Sequence, residues 1–470
     1  MNVVTAAART AHLPLTPRTR RGTELFLLLF AFALVAGAYI NVSFALHGNI
    51  QVDGLPAIGG VAGLFLGAHV LIRKVAKHAD PLLLPIAALL NGLGLVVIYR
   101  IHAASPRSPT AGTQLLWTAL AMVAFAVTLL IVRDHTMLQR YRYIAMLAGL
   151  VLLVLPAIVG ANINGAQIWI RVGGFSLQPA EIAKLLLMVF FASYFVAKRD
   201  VLALASKRVF GIDFPRARDL GPVAIAWLVS LAVLIFEKDL GTSLLFFGIF
   251  IVMLYVATER TSWVIIGFLL FAVGAFAAYK LFPHVHARVE VWLHPFSQDP
   301  AIVRNGYQLR QALFGMASGG VPGTGLGQGH PDIVPFAYSD FILSSIGEEL
   351  GLAGLMAIVV LFALIAERGL RTALSVRDGF GKLLAMGLAF SVTWQLFIVA
   401  GGVTRLIPLT GLTTPFISYG GSSLLANWII IALLLRISDA ARRPVASAPA
   451  PKPPPVAPML LDAPTQMIRR

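Results

Sequence analysis

Apolar runs long enough to cross a bilayer recur from one end of this chain to the other, separated by short polar punctuation. A helix needs about 20 such residues to traverse a hydrocarbon core of roughly 30 Å. The pattern predicts twelve spans, over 24–45, 57–72, 82–99, 113–132, 143–160, 180–197, 219–236, 240–257, 262–281, 342–366, 379–402 and 419–437. The second is short and carries four glycines, and only Glu237, Lys238 and Asp239 separate the seventh from the eighth. The expected fold class is all-α, a polytopic membrane helix bundle with one long outer loop over 282–341.

Composition agrees. Of 470 residues, 58% are apolar and 12% charged, too little polar surface to cover a water-soluble body of this size. The chain has no cysteine, which excludes disulfide scaffolds, iron–sulfur clusters and thiol catalysis. The net charge of +16 is not spread evenly. With the N-terminus in the cytoplasm and the spans alternating, inner segments hold 27 Lys and Arg against 11 Asp and Glu, and outer segments hold 10 of each. The whole excess lies inside, as the positive-inside rule requires, with both termini cytoplasmic. Topology and attraction to anionic lipid account for this charge, and nucleic acid is not an expected partner.

The organisation read from this pattern is a cytoplasmic segment over 1–23, a five-helix membrane region over 24–160, a core over 161–437 and a Pro-rich cytoplasmic tail over 438–470. The first span resembles a signal peptide in its basic flank, but its length and lack of a small-residue cleavage site predict that it is retained. The tail cannot bury a core and should be extended, either inert or a docking segment, with Thr465 open to phosphorylation.

Polar residues collect in three outer segments, 161–184, 237–243 and 282–341. Pro179 suits a first helical turn, which puts Glu181 and Lys184 on one helix face. Two readings stand for this pair, a simple ion pair or a diphosphate site at a helix N-terminus. Asp239 likewise reads as an N-cap or as a carboxylate whose partial desolvation makes it a general base. The glycines of SGGVPGTGLGQGH (318–330) lack nucleotide-binding spacing and suit tight turns instead. Asp340, Glu348 and Glu349 cluster in DFILSSIGEELG, the glutamates either pairing with arginines or acting directly. Four outer histidines, His284, His286, His294 and His330, show no spacing that demands a metal. The last outer loop, TRLIPLTGLTTPFISYGGSS, is hydroxyl- and glycine-rich with Arg405 as its one charge, suited to hydrogen-bonding a sugar or amide.

Taken together, NGAQIWIRVGGFSLQPAEIAK, EKDLGTS, the run from NGYQLRQALFGMASGG through GTGLGQG to DFILSSIGEELG, and TGLTTPFISYGGSS resemble the SEDS family of shape, elongation, division and sporulation proteins. The blocks occur in the family's order. The resemblance implies a peptidoglycan glycosyltransferase that polymerises lipid II on the outer face of the bacterial cytoplasmic membrane, partnered by a class B penicillin-binding transpeptidase. It is closer to the elongation-type branch than to the division-type branch. The family's essential aspartate carries over to Asp239, and its glutamate and lysine to Glu181 and Lys184. Trp169, Arg171, Gln178, Arg304, Arg310, Asp340, Arg405 and Ser418 complete the implied substrate-binding set. The chain departs from the family pattern at Ile168, Ala180, Phe336 and Tyr338, which bears on fine substrate contacts rather than on class. Five spans precede the first block where three are usual, an extension associated with actinobacterial members.

The expected mechanism is inverting transfer: Asp239 takes the acceptor proton, and a cation stabilises the departing undecaprenyl diphosphate. Lys184 is the first candidate cation, followed by Arg171, Arg304, Arg310 and Arg405. A divalent cation, Mg²⁺ or Mn²⁺, is compatible with a diphosphate and a carboxylate, although no ligand pattern requires it. The rival readings are a flippase for the lipid-linked precursor, a septal member of the family, or a scaffold without catalysis. A flippase needs polar groups through the membrane interior, whereas the ionisable residues here gather at the outer rim.

Overall fold

A bilayer offers no hydrogen-bond partners, so each spanning segment must satisfy its backbone internally as a helix. The computed structural model describes residues 19–51, 54–163, 166–173, 175–199, 207–209, 212–214, 227–228, 232 and 239–443. Eleven described helices are long and apolar enough to span: α1 (Arg21–His47), α2 (Leu55–Val75), α3 (Leu83–Ala104), α4 (Ala111–Ile131), α6 (Arg142–Val159), α7 (Pro179–Ala197), α8 (Leu240–Thr258), α9 (Thr261–Leu281), α14 (Gly351–Ser375), α15 (Gly379–Val403) and α16 (Gly421–Arg442). The segment expected at 219–236 lies outside the described residues except for Trp227, Leu228 and Ala232. Glu237, Lys238 and the Pro-rich tail beyond Arg443 also lie outside them.

Short elements fill the connections. These are α5 (Met137–Arg140), the antiparallel strands β1 (Ala161–Ile163), β2 (Ala166–Val172) and β3 (Phe175–Leu177), and the hairpin β4 (Lys207–Val209) and β5 (Ile212–Phe214). The long stretch 282–341 is partly helical, with α10 (Pro283–Leu293), α11 (Pro300–Asn305) and α12 (Tyr307–Gly319).

Polar contacts at the two ends show the alternation. Arg21 donates to the carbonyls of Lys77 and Ala79, while Arg442 pairs with Asp80 and His135 Nε2 lies 2.7 Å from Asp378. At the opposite end, Arg100 Nε meets Glu349 Oε1 at 2.8 Å. The described chain therefore begins and ends at the same end of the bundle. Helices α3, α7, α15 and α16 are mostly buried, whereas α9 is almost wholly exposed on its apolar surface, as a helix bathed in lipid would be.

One predicted span divides. The segment expected at 342–366 consists of a buried helix α13 (Ile342–Glu349) followed by α14, whose first residue, Gly351, has φ +65°. The chain turns there because Gly351 packs against the backbone of 321–323; an added Cβ would lie 2.4 Å from the Val321 carbonyl oxygen. Hydropathy alone does not register that contact.

Candidate active site

Asp239 is the N-cap of α8 and is 7% exposed. Its Oδ1 accepts the Thr242 backbone N–H at 2.9 Å, so the capping role is present. Its Oδ2 does more, accepting from the Thr242 hydroxyl at 2.7 Å and from the Gln178 side-chain amide at 3.1 Å. Gln178 is held in place because its own backbone N–H donates to Ser422 Oγ at 2.8 Å, which joins the end of β3 to the first turn of α16.

The first turn of α7 carries the second feature. Lys184 Nζ donates to Glu181 Oε2 at 2.7 Å and to Gln395 Oε1 at 3.0 Å, and Gln395 Nε2 donates to the Thr413 carbonyl at 2.9 Å. A polar chain thus runs from α7 through α15 to the loop that follows α15. Glu181 is also an electrostatic neighbour of Asp239.

That loop closes the site. Gly241 must be glycine, because a Cβ there would sit 2.8 Å from the Thr410 carbonyl oxygen and 2.7 Å from Leu412. Arg288 Nη1, reaching over from α10, donates to Thr410 O at 3.3 Å. Both Asp239 and Asp340 interact electrostatically with Arg288. Ser418 Oγ donates to Ser339 O at 2.7 Å and accepts from Thr414 N, fixing the residue beside Asp340 to the loop.

Burial pushes the Asp239 carboxyl above the ordinary carboxylate range; the Thr242 hydrogen bonds and Arg288 oppose the shift, and Glu181 adds to it. Asp340 is pushed up to about 6, chiefly by its scarcity of water, with Ser339 and Arg288 acting downward and Asp239 upward. Two carboxylates that resist ionisation beside one arginine make a site suited to proton transfer.

The structure thus gathers Gln178, Glu181, Lys184, Asp239 and Asp340, with Ser418 supporting. The remaining nominated residues make other contacts. Arg171 is exposed on β2 opposite Ser176, Trp169 is half-buried on the same strand, and Arg304 is exposed on α11. Arg310 donates to Val303 O at 2.6 Å, and Arg405 spends its Nε and Nη2 on the carbonyls of Trp292 and Leu293. Glu349 pairs with Arg100 and Glu348 accepts from His330 N, so both brace the glycine-rich segment. Among the described residues, no group of three His, Cys, Asp or Glu gathers to hold a metal. An apolar recess of about 200 Å³ lies between α1, α2, α3 and α4, lined by Val35, Tyr39, Phe65 and Tyr99. Asp239 does not line that recess.

Sequence reasoning missed Arg288, Thr242 and Gln395. Thr242 was legible as the third residue of a capped helix. Gln395, an amide inside an apolar span, was a signal in itself.

The FtsW, RodA and SpoVE cell cycle protein model matches residues 81–443, so this chain belongs to that family of polytopic membrane proteins. It is 50% identical over 461 residues to the peptidoglycan glycosyltransferase RodA of Mycobacterium tuberculosis, covering 96% of both chains. It is also 50% identical to that of Mycobacterium leprae over 92% of this chain and 93% of that one. A solved chain from a peptidoglycan synthase complex, described for its coordination of polymerization and crosslinking, superposes with a TM-score of 0.62 at 25% identity, covering 78% of this chain and 99% of that one. Helices α1 and α2 precede the family match but fall largely within the mycobacterial alignment, so the N-terminal extension is shared with those relatives.

Proposed function

We propose that this protein is a RodA-type peptidoglycan glycosyltransferase that polymerises lipid II during cell elongation and maintenance of cell shape. The observation that carries the chemical part is Asp239, a nearly buried carboxylate at a helix start, fixed by Thr242 and Gln178 and with Arg288 as a charged neighbour. The family membership and the two mycobacterial relatives support the substrate class.

In the reaction, the acceptor sugar's 4-hydroxyl attacks the anomeric carbon of the lipid-linked donor. A C–O bond forms to the acceptor as the bond to the diphosphate breaks, and the bonding pair leaves on the diphosphate oxygen. The hydroxyl proton passes to Asp239, an effect typically worth about 10² to 10⁴ in rate. Gln178 and Thr242 aim the carboxylate, and the Glu181–Lys184–Gln395 chain holds the first turn of α7 against the outer loop. The core spans 161–437, and the end bearing Asp239 faces outward, as the charge asymmetry supports, with both termini in the cytoplasm. The prenyl tail stays in the bilayer while only the head group enters. A class B penicillin-binding transpeptidase is the partner, which the likeness to a chain of a synthase complex supports.

The test is direct. Purified wild type and Asp239→Asn, each with and without the transpeptidase, are given lipid II, and glycan chains are resolved on a gel. Polymer from the wild type alone is expected. Equal polymer from both rejects the general-base role, and translocation of lipid II without polymer supports the flippase instead.

A further inference from the structure

The leaving diphosphate develops negative charge and needs a cation near Asp239. Lys184 is poorly placed for this, since it is 2% exposed and already donates to Glu181 and Gln395. Arg310 and Arg405 donate to backbone carbonyls, and neither is a charged neighbour of Asp239 as Arg288 is. Arg288 differs from all of them.

It lies on α10, outside the spanning helices and half-buried. Its Nη1 is anchored by the carbonyl oxygens of Thr410 at 3.3 Å and Leu409 at 3.5 Å. Carbonyls orient a guanidinium without cancelling its charge. Among the described residues Arg288 has no other hydrogen-bond partner and no ion pair within 4.0 Å, although Asp239 and Asp340 are its charged neighbours. A free arginine beside two carboxylates ordinarily closes onto one of them as a two-point fork. Here the anchor on the 409–410 backbone holds it back, leaving Nε and Nη2 available. The same loop segment packs on Gly241 at the start of the helix that Asp239 caps, and Gly411 follows it beside Asp340. The cation, the base and the second carboxylate are therefore fixed to one backbone segment.

We propose that Arg288 is the residue that receives the donor's diphosphate, its Nε–H and Nη2–H donating to two non-bridging oxygens. This rests on the glycosyl-transfer reading above. In the step itself Arg288 remains protonated; the electron pair of the broken anomeric C–O bond ends on the diphosphate oxygen, and the acceptor proton ends on Asp239. Because Arg288 pairs with neither carboxylate, it can meet the phosphate without withdrawing Asp239 from its role as base.

The experiment measures binding of undecaprenyl diphosphate and of undecaprenyl monophosphate to the full-length protein in detergent, together with polymerisation of lipid II. Arg288→Gln is expected to weaken diphosphate binding at least about tenfold, as loss of a charged donor does, with a smaller effect on the monophosphate. Its kcat should fall by about 10² to 10³, the usual consequence of removing one donor to a developing anion. Arg288→Lys, which keeps the charge but loses the fork, should weaken diphosphate binding by a smaller factor. Asp239→Asn should stop polymerisation while diphosphate binding persists. Unchanged diphosphate binding in either folded Arg288 variant overturns this assignment. Full polymerisation by Asp239→Asn instead removes the reading beneath it, so the two failures are distinguishable.

Discussion

Lys184 holds the Glu181 carboxylate at 2.7 Å across one turn of α7, with both side chains nearly sealed from solvent. Removing one member of such a pair strands the other charge, at a cost of about 3–5 kcal/mol. Glu181→Gln and Lys184→Met should each lower the thermal stability of the detergent-solubilised protein clearly. The double variant should lose less than the sum of the two, and strict additivity in the thermal-unfolding cycle contradicts the coupling.

Asp239 serves both as cap and as base, and two substitutions separate these roles. Asparagine caps as well as aspartate. Asp239→Asn should therefore fold with near-normal stability while polymerisation drops by about 10² to 10⁴. Asp239→Ala should lose the same activity and a further ~1 kcal/mol of stability from the missing cap. Comparable unfolding temperatures for the two variants count against the capping contact.

The pH dependence of polymerisation follows from the same residues. A base is active only when ionised, and burial raises the Asp239 pKa, so activity is lost as pH falls through a value above the usual carboxylate range. Arg288 favours the ionised form of both Asp239 and Asp340. Arg288→Gln should therefore move the acid limb of the kcat profile to higher pH. A limb that stays put, or moves down, shows that Arg288 does not act on the base.

Gly351 adopts φ +65°, and an added Cβ would lie 2.3 Å from the Gly323 nitrogen. Gly351→Ala should destabilise the protein by about 1–3 kcal/mol through backbone strain and should loosen the packing of 321–323. Protease sensitivity between 318 and 330 would report this, and a fully protected variant contradicts the packing argument.

The spanning helices follow from sequence because partition into lipid depends on the composition of a local window, and the charge asymmetry follows because it is a property of the loops alone. Asp239, Glu181 and Lys184 were legible through their motifs, and the pairing of the last two through helical spacing. What the tertiary structure decided is which distant segments meet. No local pattern places Arg288 at Thr410, Gln395 on Lys184 or Gln178 on Asp239, since these contacts join residues 122, 211 and 61 positions apart. The predicted tenth span divided for the same reason, because the turn at Gly351 answers to a backbone thirty residues earlier in the chain rather than to its own hydropathy.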